Sequence, residues 1–230
     1  MNTNLKEVKS TAKMLFMAVK IEPNKDFGFI VCHPFTNTTV AMVEVNGKPE
    51  MVDITVKENY EKWKNFIFDV IDRCDKVIKI YMMFGQSWRL TFLKYAKDYI
   101  NDKTFTELFA DAWVQSENPN MDNNVTLKEL ISWFKRAKKD VLMETDDYAV
   151  WEALPDEFTV YRGVSVGRKE HGLSWTRNYD KAEWFANRFG EGYVLKATIR
   201  KENALAYLNT RNEDEIVVDV FAIKDKIRRM

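Results

Sequence analysis

Three short elements in the last third of the chain carry residue types that can do chemistry. In order they are Tyr161-Arg162-Gly163, then Gly172-Leu173-Ser174-Trp175-Thr176, then Glu213-Asp214-Glu215 ahead of Ile216-Val217-Val218. Each places a polar residue where an apolar run begins or ends, and strand ends gathered on one side of a sheet are a common place to build a site. The planar fork of an arginine grips two oxygens of an anion at once. A carboxylate held in a water-poor site stabilises positive charge that develops nearby. A second carboxylate two residues away can orient or deprotonate a reaction partner. Taken singly, each element has an ordinary alternative. Arg162 can be a surface arginine in a turn, Ser174 and Thr176 can be strand residues on one face, and Asn212 to Glu215 can be a solvated acidic loop.

The elements that must position these residues are strands and one helix. Phe158-Thr159-Val160-Tyr161 and Leu173-Ser174-Trp175-Thr176 are rich in β-branched and aromatic residues, Gly192 to Ile199 alternates as a half-buried strand, and Ile216-Val217-Val218 is a short buried one. Asp180 to Phe189 reads as a helix with Ala182, Phe185 and Phe189 on one side. Alternation turns Trp175 away from Ser174 and Thr176, toward the core. Tyr207 to Asn212 reads as a polar loop ahead of Glu213.

Upstream, Met14 to Val19 fits a short helix or a first strand. Phe27 to Val31, Thr39 to Val45 and Met51 to Val56 are predicted to form a small antiparallel sheet. Asn46-Gly47 marks the hairpin turn, since both residues tolerate positive φ. The period then becomes helical. Tyr60, Trp63, Lys64, Ile67, Val70, Ile71 and Cys74 share one face, Trp88 to Tyr99 does the same, and Leu108, Phe109, Ala112 and Trp113 belong to a third helix. Glu117 to Asn124 is a loop, after which Thr126 and Glu129 make a capping box. Lys135-Arg136-Ala137-Lys138-Lys139 is the one compact basic run, read as a solvated helix face, with a contact for RNA, DNA or an acidic partner as the sharper alternative. A short helix from Tyr148 to Leu154 ends at Pro155. The expected fold class is α+β: a helical N-terminal and middle region with a small β hairpin (1–154, part of it integral to the catalytic region), then a β core (155–230).

The 230 residues balance 35 Lys and Arg against 35 Asp and Glu, so nothing in the overall charge drives the chain toward nucleic acid or an anionic membrane. Two cysteines, Cys32 and Cys74, make no disulfide framework and suggest a reducing compartment. With two histidines, His33 and His171, and no CxxC or HxxxH spacing, no metal site is expected. His171, His33 and Cys32 are assigned no role. There is no signal-peptide pattern and no apolar run long enough for a bilayer, so a cytoplasmic protein is expected.

The order arginine, then Ser-x-Thr, then Glu-x-Glu, each at the edge of a strand, resembles the Arg-Ser-Glu class of mono-ADP-ribosyltransferases over roughly Pro155 to Asp219. The aromatic helix after the serine motif, Lys181-Ala182-Glu183-Trp184-Phe185-Ala186, is also similar to that family. The resemblance implies an ADP-ribosyltransferase-like two-sheet β core and a reaction in which NAD, as co-substrate and without a metal, is cleaved at the nicotinamide–ribose bond. Positive charge then develops on the ribose, as in glycoside hydrolysis. Glu215 would stabilise it, Ser174 would orient Glu215 with support from Thr176, and Arg162 with Gly163 would hold the pyrophosphate. Trp184 and Phe185 would stack on nicotinamide, with core packing the alternative for at least one of them. Glu213 would act on the acceptor, and Tyr207, Asn209 and Arg211 would recognise it. Trp175 stands where the family often has a small residue.

Glu at the first position of Glu-x-Glu goes, in that family, with protein arginine as acceptor. Some relatives act as toxins or phage-defence effectors on RNA or DNA, so a nucleic-acid acceptor is the alternative. A neutralising antitoxin or inhibitor protein is among the partners implied, and a membrane is not. A catalytically silent binding module with the same fold is a third reading.

Overall fold

The computed structural model describes residues 2–230, and the chain divides into two compact units, 1–108 and 109–230. The class is α+β. The division falls at 108/109 rather than at 154/155. Helices Leu127–Arg136 and Thr145–Glu152 pack on strand Ala204–Leu208 of the C-terminal sheet, which places them in the same unit.

In the first unit, helix α1 (Leu5–Ala18) is capped by Asn4, whose side chain accepts from the Glu7 amide. The expected single sheet is instead two separate two-stranded ribbons. One pairs β1 (Ile30–His33) with β2 (Thr36–Thr38), the other β3 (Val40–Val45) with β4 (Lys48–Asp53). Val45 pairs with Lys48 across Asn46 and Gly47, both at positive φ (52° and 74°), as a two-residue hairpin turn requires. The remaining elements are α2 (Lys57–Arg73), α3 (Val77–Tyr81), α4 (Arg89–Ala96) and the start of α5 (Asp102–Gln115), which runs on into the second unit. Phe16, Ala41, Val43, Ile54 and Trp63 form a core cluster. Against it lies His33, fully buried, its Nε2 on the Phe16 carbonyl (3.1 Å) and its Nδ1 accepting from the Phe35 amide (3.2 Å).

The second unit continues with α6 (Leu127–Arg136), α7 (Lys139–Leu142), α8 (Thr145–Glu152), β5 (Glu157–Val164), β6 (Ser174–Thr176), α9 (Tyr179–Asn187), β7 (Tyr193–Arg200), β8 (Ala204–Leu208), β9 (Glu215–Val218) and β10 (Arg228–Arg229). The capping box forms: the Thr126 hydroxyl accepts from the Glu129 amide (3.2 Å), while the Glu129 carboxylate accepts from the Thr126 amide (2.8 Å). The strands make one antiparallel sheet in the order β10-β7-β5-β6-β9-β8, not two sheets. Its two halves meet through a single register pair, Tyr161 opposite Thr176. Continuing that register would set Gly163 opposite Ser174, but the strands part instead. The α9 backbone lies so close to β5 and β7 that a Cβ on Gly163 would collide with the Ala182 carbonyl, and one on Gly192 with the Ala186 carbonyl.

Strand β8 is buried at all five positions and takes in Tyr207 and Leu208, the first residues of the expected loop; a continuous apolar run has no alternation to mark it as a strand. Its outer edge is satisfied by the preceding helices. The Ala204 carbonyl accepts from Trp151 Nε1 (3.1 Å) and the Leu205 carbonyl from Lys139, while the Asn209 amide donates to Asp147 (2.8 Å). A covered edge cannot template the pairing of another chain. The basic run is therefore no uniform solvated face. Lys135 pairs with Asp219 at 2.7 Å, and Lys139 caps the Phe134 carbonyl as well as Leu205, burial bringing its pKa down to about 8.

Candidate active site

The cleft of the second unit opens where β5 and β6 diverge. Its cavity volume is about 160 Å³, open to solvent at the mouth. Arg162, Gly163, Ser174, Thr176, Phe185, Arg211, Glu213 and Glu215 all line it. All three sequence elements thus reach one cavity.

Glu215 opens β9, where it sits opposite Thr176 in register. The indole Nε1 of Trp113 lies 3.3 Å from each of its two carboxylate oxygens, and the Ser174 hydroxyl also bonds it. Burial lifts the Glu215 carboxyl above the usual carboxylate range. The Ser174 and Trp113 bonds oppose this, the Glu213 charge adds to it, and Arg211 counters. Such a carboxylate is prepared to meet positive charge, because burial has removed its water and fixed donors hold its oxygens.

The donors are themselves fixed. Trp113 stacks edge-on against Phe134 (centroids 4.8 Å apart, planes at 83°), and Phe134 against Phe109 at 4.7 Å, which sets the direction of the indole N–H. The Ser174 hydroxyl accepts from Asn120 Nδ2 at 3.1 Å, and Asn120 Oδ1 accepts from the Leu173 amide at 2.7 Å. Trp113 and Asn120 escape sequence reasoning. Trp113 looks like any residue of a buried helical stripe, and Asn120 lies in a stretch that reads as plain loop.

Arg162 is buried, and its fork is engaged by the chain itself. Nε donates to the Glu170 carbonyl (3.1 Å), Nη1 to that of Ser174 (2.7 Å) and Nη2 to that of Lys169 (2.9 Å). These bonds stand in for the ladder that β5 and β6 do not make beyond Tyr161 and Thr176. Burial lowers its pKa to about 10, with the Glu215 charge opposing, so it stays cationic at neutral pH. The fork expected to hold a pyrophosphate is thus largely taken up by main-chain carbonyls. A Cβ at Gly172 would strike the guanidinium, so a side chain there would displace the bonded fork. Gly163 lines the cleft, but its decisive contribution is the close approach of α9.

Glu213 lies on the rim between Asn212 (φ 55°) and Asp214 (φ 52°), two non-glycine residues in the left-handed region. Their conformation is held from outside: Lys181 donates to the Asn212 carbonyl (2.7 Å), and the Asp214 amide donates to Asn209 Oδ1 (2.9 Å). Asn209 therefore supports the loop and is not among the cleft residues. Tyr207 is buried in β8, and its hydroxyl bonds Asp214, so it anchors the loop rather than facing an acceptor. Arg211 is exposed on the rim and donates to the Ser116 carbonyl at 3.3 Å. Trp184 stands outside the cleft, because its position on α9 faces solvent; Phe185 faces in. Trp175 packs in the core, its indole N–H on the Gly172 carbonyl at 3.0 Å, as strand alternation requires. The Thr176 hydroxyl accepts from the Asn178 amide at 3.1 Å.

No family model, curated protein or solved structure matches this chain. Among the described residues no His, Cys, Asp and Glu cluster suits a metal ion, and no helix is long and apolar enough to cross a membrane.

Proposed function

We propose that the second unit cleaves NAD at the nicotinamide–ribose bond and transfers ADP-ribose to a macromolecular acceptor. The observation that carries this reading is the Glu215 carboxylate, held by Trp113 and Ser174 inside the cleft that also contains Arg162 and Glu213. Cleavage leaves a ribose with oxocarbenium character, and a preorganised anion beside it lowers the barrier. The bonding pair of the C–N bond leaves with nicotinamide. The acceptor's lone pair then attacks the ribose carbon, and its proton passes to Glu213. The order of the three motifs adds the resemblance to mono-ADP-ribosyltransferases.

The test is nicotinamide release by the purified chain, with and without Glu215→Gln. This change keeps the side-chain volume and removes the charge. Loss of about a hundredfold or more in release, with folding retained, is the expected result. Release at the wild-type rate by the variant would refute the assignment.

A further inference from the structure

Beside the cleft, α9 and the loops around it present a stack of aromatic rings and guanidiniums. Trp184 and Phe189 are 59% and 53% exposed, so neither serves the core. The Arg188 guanidinium lies over both rings, 5.5 Å from the centroid of Trp184 and 5.0 Å from that of Phe189. Arg168 covers Phe189 at 5.3 Å. The series runs Trp184, Arg188, Phe189, Arg168, and its last three members line the cleft. It thus leads from the open surface into the cavity that holds Glu213 and Glu215.

We infer that this series binds a single-stranded nucleic acid, and that a base of that strand is the acceptor of ADP-ribose. The inference rests on the transfer reaction proposed above. Unpaired bases stack on aromatic faces and on guanidinium planes, and their phosphates pair with arginine. Exposed rings interleaved with arginines offer both. A duplex hides its base faces and gains only the charges.

Charge at the mouth points the same way. Arg168, Arg188 and Arg211 all line the cleft. These arginines attract a phosphate backbone, while Glu117 and Glu213 on the same lining do not. Glu213 on the rim suits the exocyclic amine of a base, whose N–H a carboxylate accepts. In the transfer the base nitrogen's lone pair forms the new bond to the ribose carbon, nicotinamide departs with the old bonding pair, and the amine proton goes to Glu213. The overall charge of zero is compatible, since the contact is local.

Binding is measured on the full chain carrying Glu215→Gln, with a fluorescein-labelled single strand of about a dozen nucleotides. Trp184→Ala should weaken it roughly tenfold, as expected for loss of one stacking ring. Arg188→Ala should reduce the slope of log affinity against log salt by about 0.7, the value for one phosphate on a single strand. An unlabelled duplex of the same sequence should compete poorly. In the wild type with labelled NAD, the label should enter the oligonucleotide rather than an arginine-rich peptide supplied beside it. Affinity indifferent to both substitutions, or label entering the peptide alone, would overturn the inference. Nicotinamide release separates the two levels. No release under any condition refutes the proposed reaction and the acceptor role with it, while release without strand binding refutes only the nucleic-acid surface.

Discussion

Trp113 and Glu215 come from a helix and a strand far apart in the sequence, yet the indole N–H lies at the same 3.3 Å distance from both oxygens of the carboxylate. The bond favours the ionised form against a burial that disfavours it. Only the ionised form can stabilise a ribosyl cation, so activity should fall as pH drops through the raised Glu215 pKa. Trp113→Phe removes the donor and keeps most of the ring. A hydrogen bond to a charged group is worth roughly 1.5–3 kcal/mol, so the acid limb of nicotinamide release should move up by about one to two pH units. A Trp113 that serves only as packing would lower the rate and leave the limb in place.

Arg162→Lys tests what the arginine holds. A single ammonium cannot satisfy the carbonyls of Lys169, Glu170 and Ser174 together. The expected outcome is a raised KM for NAD together with a loss of stability of about 1–3 kcal/mol from carbonyls left unsatisfied. Urea unfolding and kinetics on the same preparation read both. A raised KM with an unchanged urea midpoint would mean that the fork serves the ligand and not the chain.

Glu213 and Glu215 should separate transfer from hydrolysis. In the proposed reaction Glu215 acts on the ribose and is needed for any cleavage, whereas Glu213 on the rim acts on the acceptor. Glu213→Gln is expected to lower label incorporation by about 10²–10⁴-fold, the usual value of general-base assistance, and slow hydrolysis to water far less. An equal fall in both would place Glu213 in the NAD site or its scaffold.

Gly163→Ala should fail through packing. The added Cβ meets main-chain atoms of Ala182 and Ala186, which cannot swing aside as a side chain would. We expect a loss of about 1–3 kcal/mol or more, read as a lowered urea midpoint, with separation of α9 from β5. A variant of wild-type stability would show that the helix has room to lift.

His33 should make the first unit sensitive to acid. Burial lowers its pKa from 6.5 to about 4, and its Nδ1 faces the Phe35 amide, so a proton there has no acceptor. The unfolded chain binds that proton more readily than the folded one between these values. Stability is therefore full above pH 6.5, falls as pH drops toward about 4, and then levels. The change amounts to about 3 kcal/mol. His33→Gln, which keeps a donor and an acceptor without the titration, should flatten this dependence in the hydrogen exchange of α1 and α2 amides. An equally steep dependence in the variant would assign the acid sensitivity to other groups.

The sequence by itself determined what is local. The Asn46-Gly47 hairpin, the Thr126 and Glu129 capping box, the helical face of α2 and the inward turn of Trp175 follow from φ preferences, capping and side-chain period, which involve only neighbours along the chain. The gathering of Arg162, Ser174, Glu213 and Glu215 was legible too, since strand edges expose their polar residues at one end. Tertiary structure alone decided the rest. Trp113 and Asn120 meet the site because α5 and the turn after it cross the ends of β6 and β9, contacts that no periodicity records. Lys139 became an edge cap and Arg162 a brace for main-chain carbonyls because each lies beside backbone groups that lack a strand partner. Backbone groups without partners exist only once the sheet is laid out, so a charged residue's use as a donor to them is settled by the assembled fold.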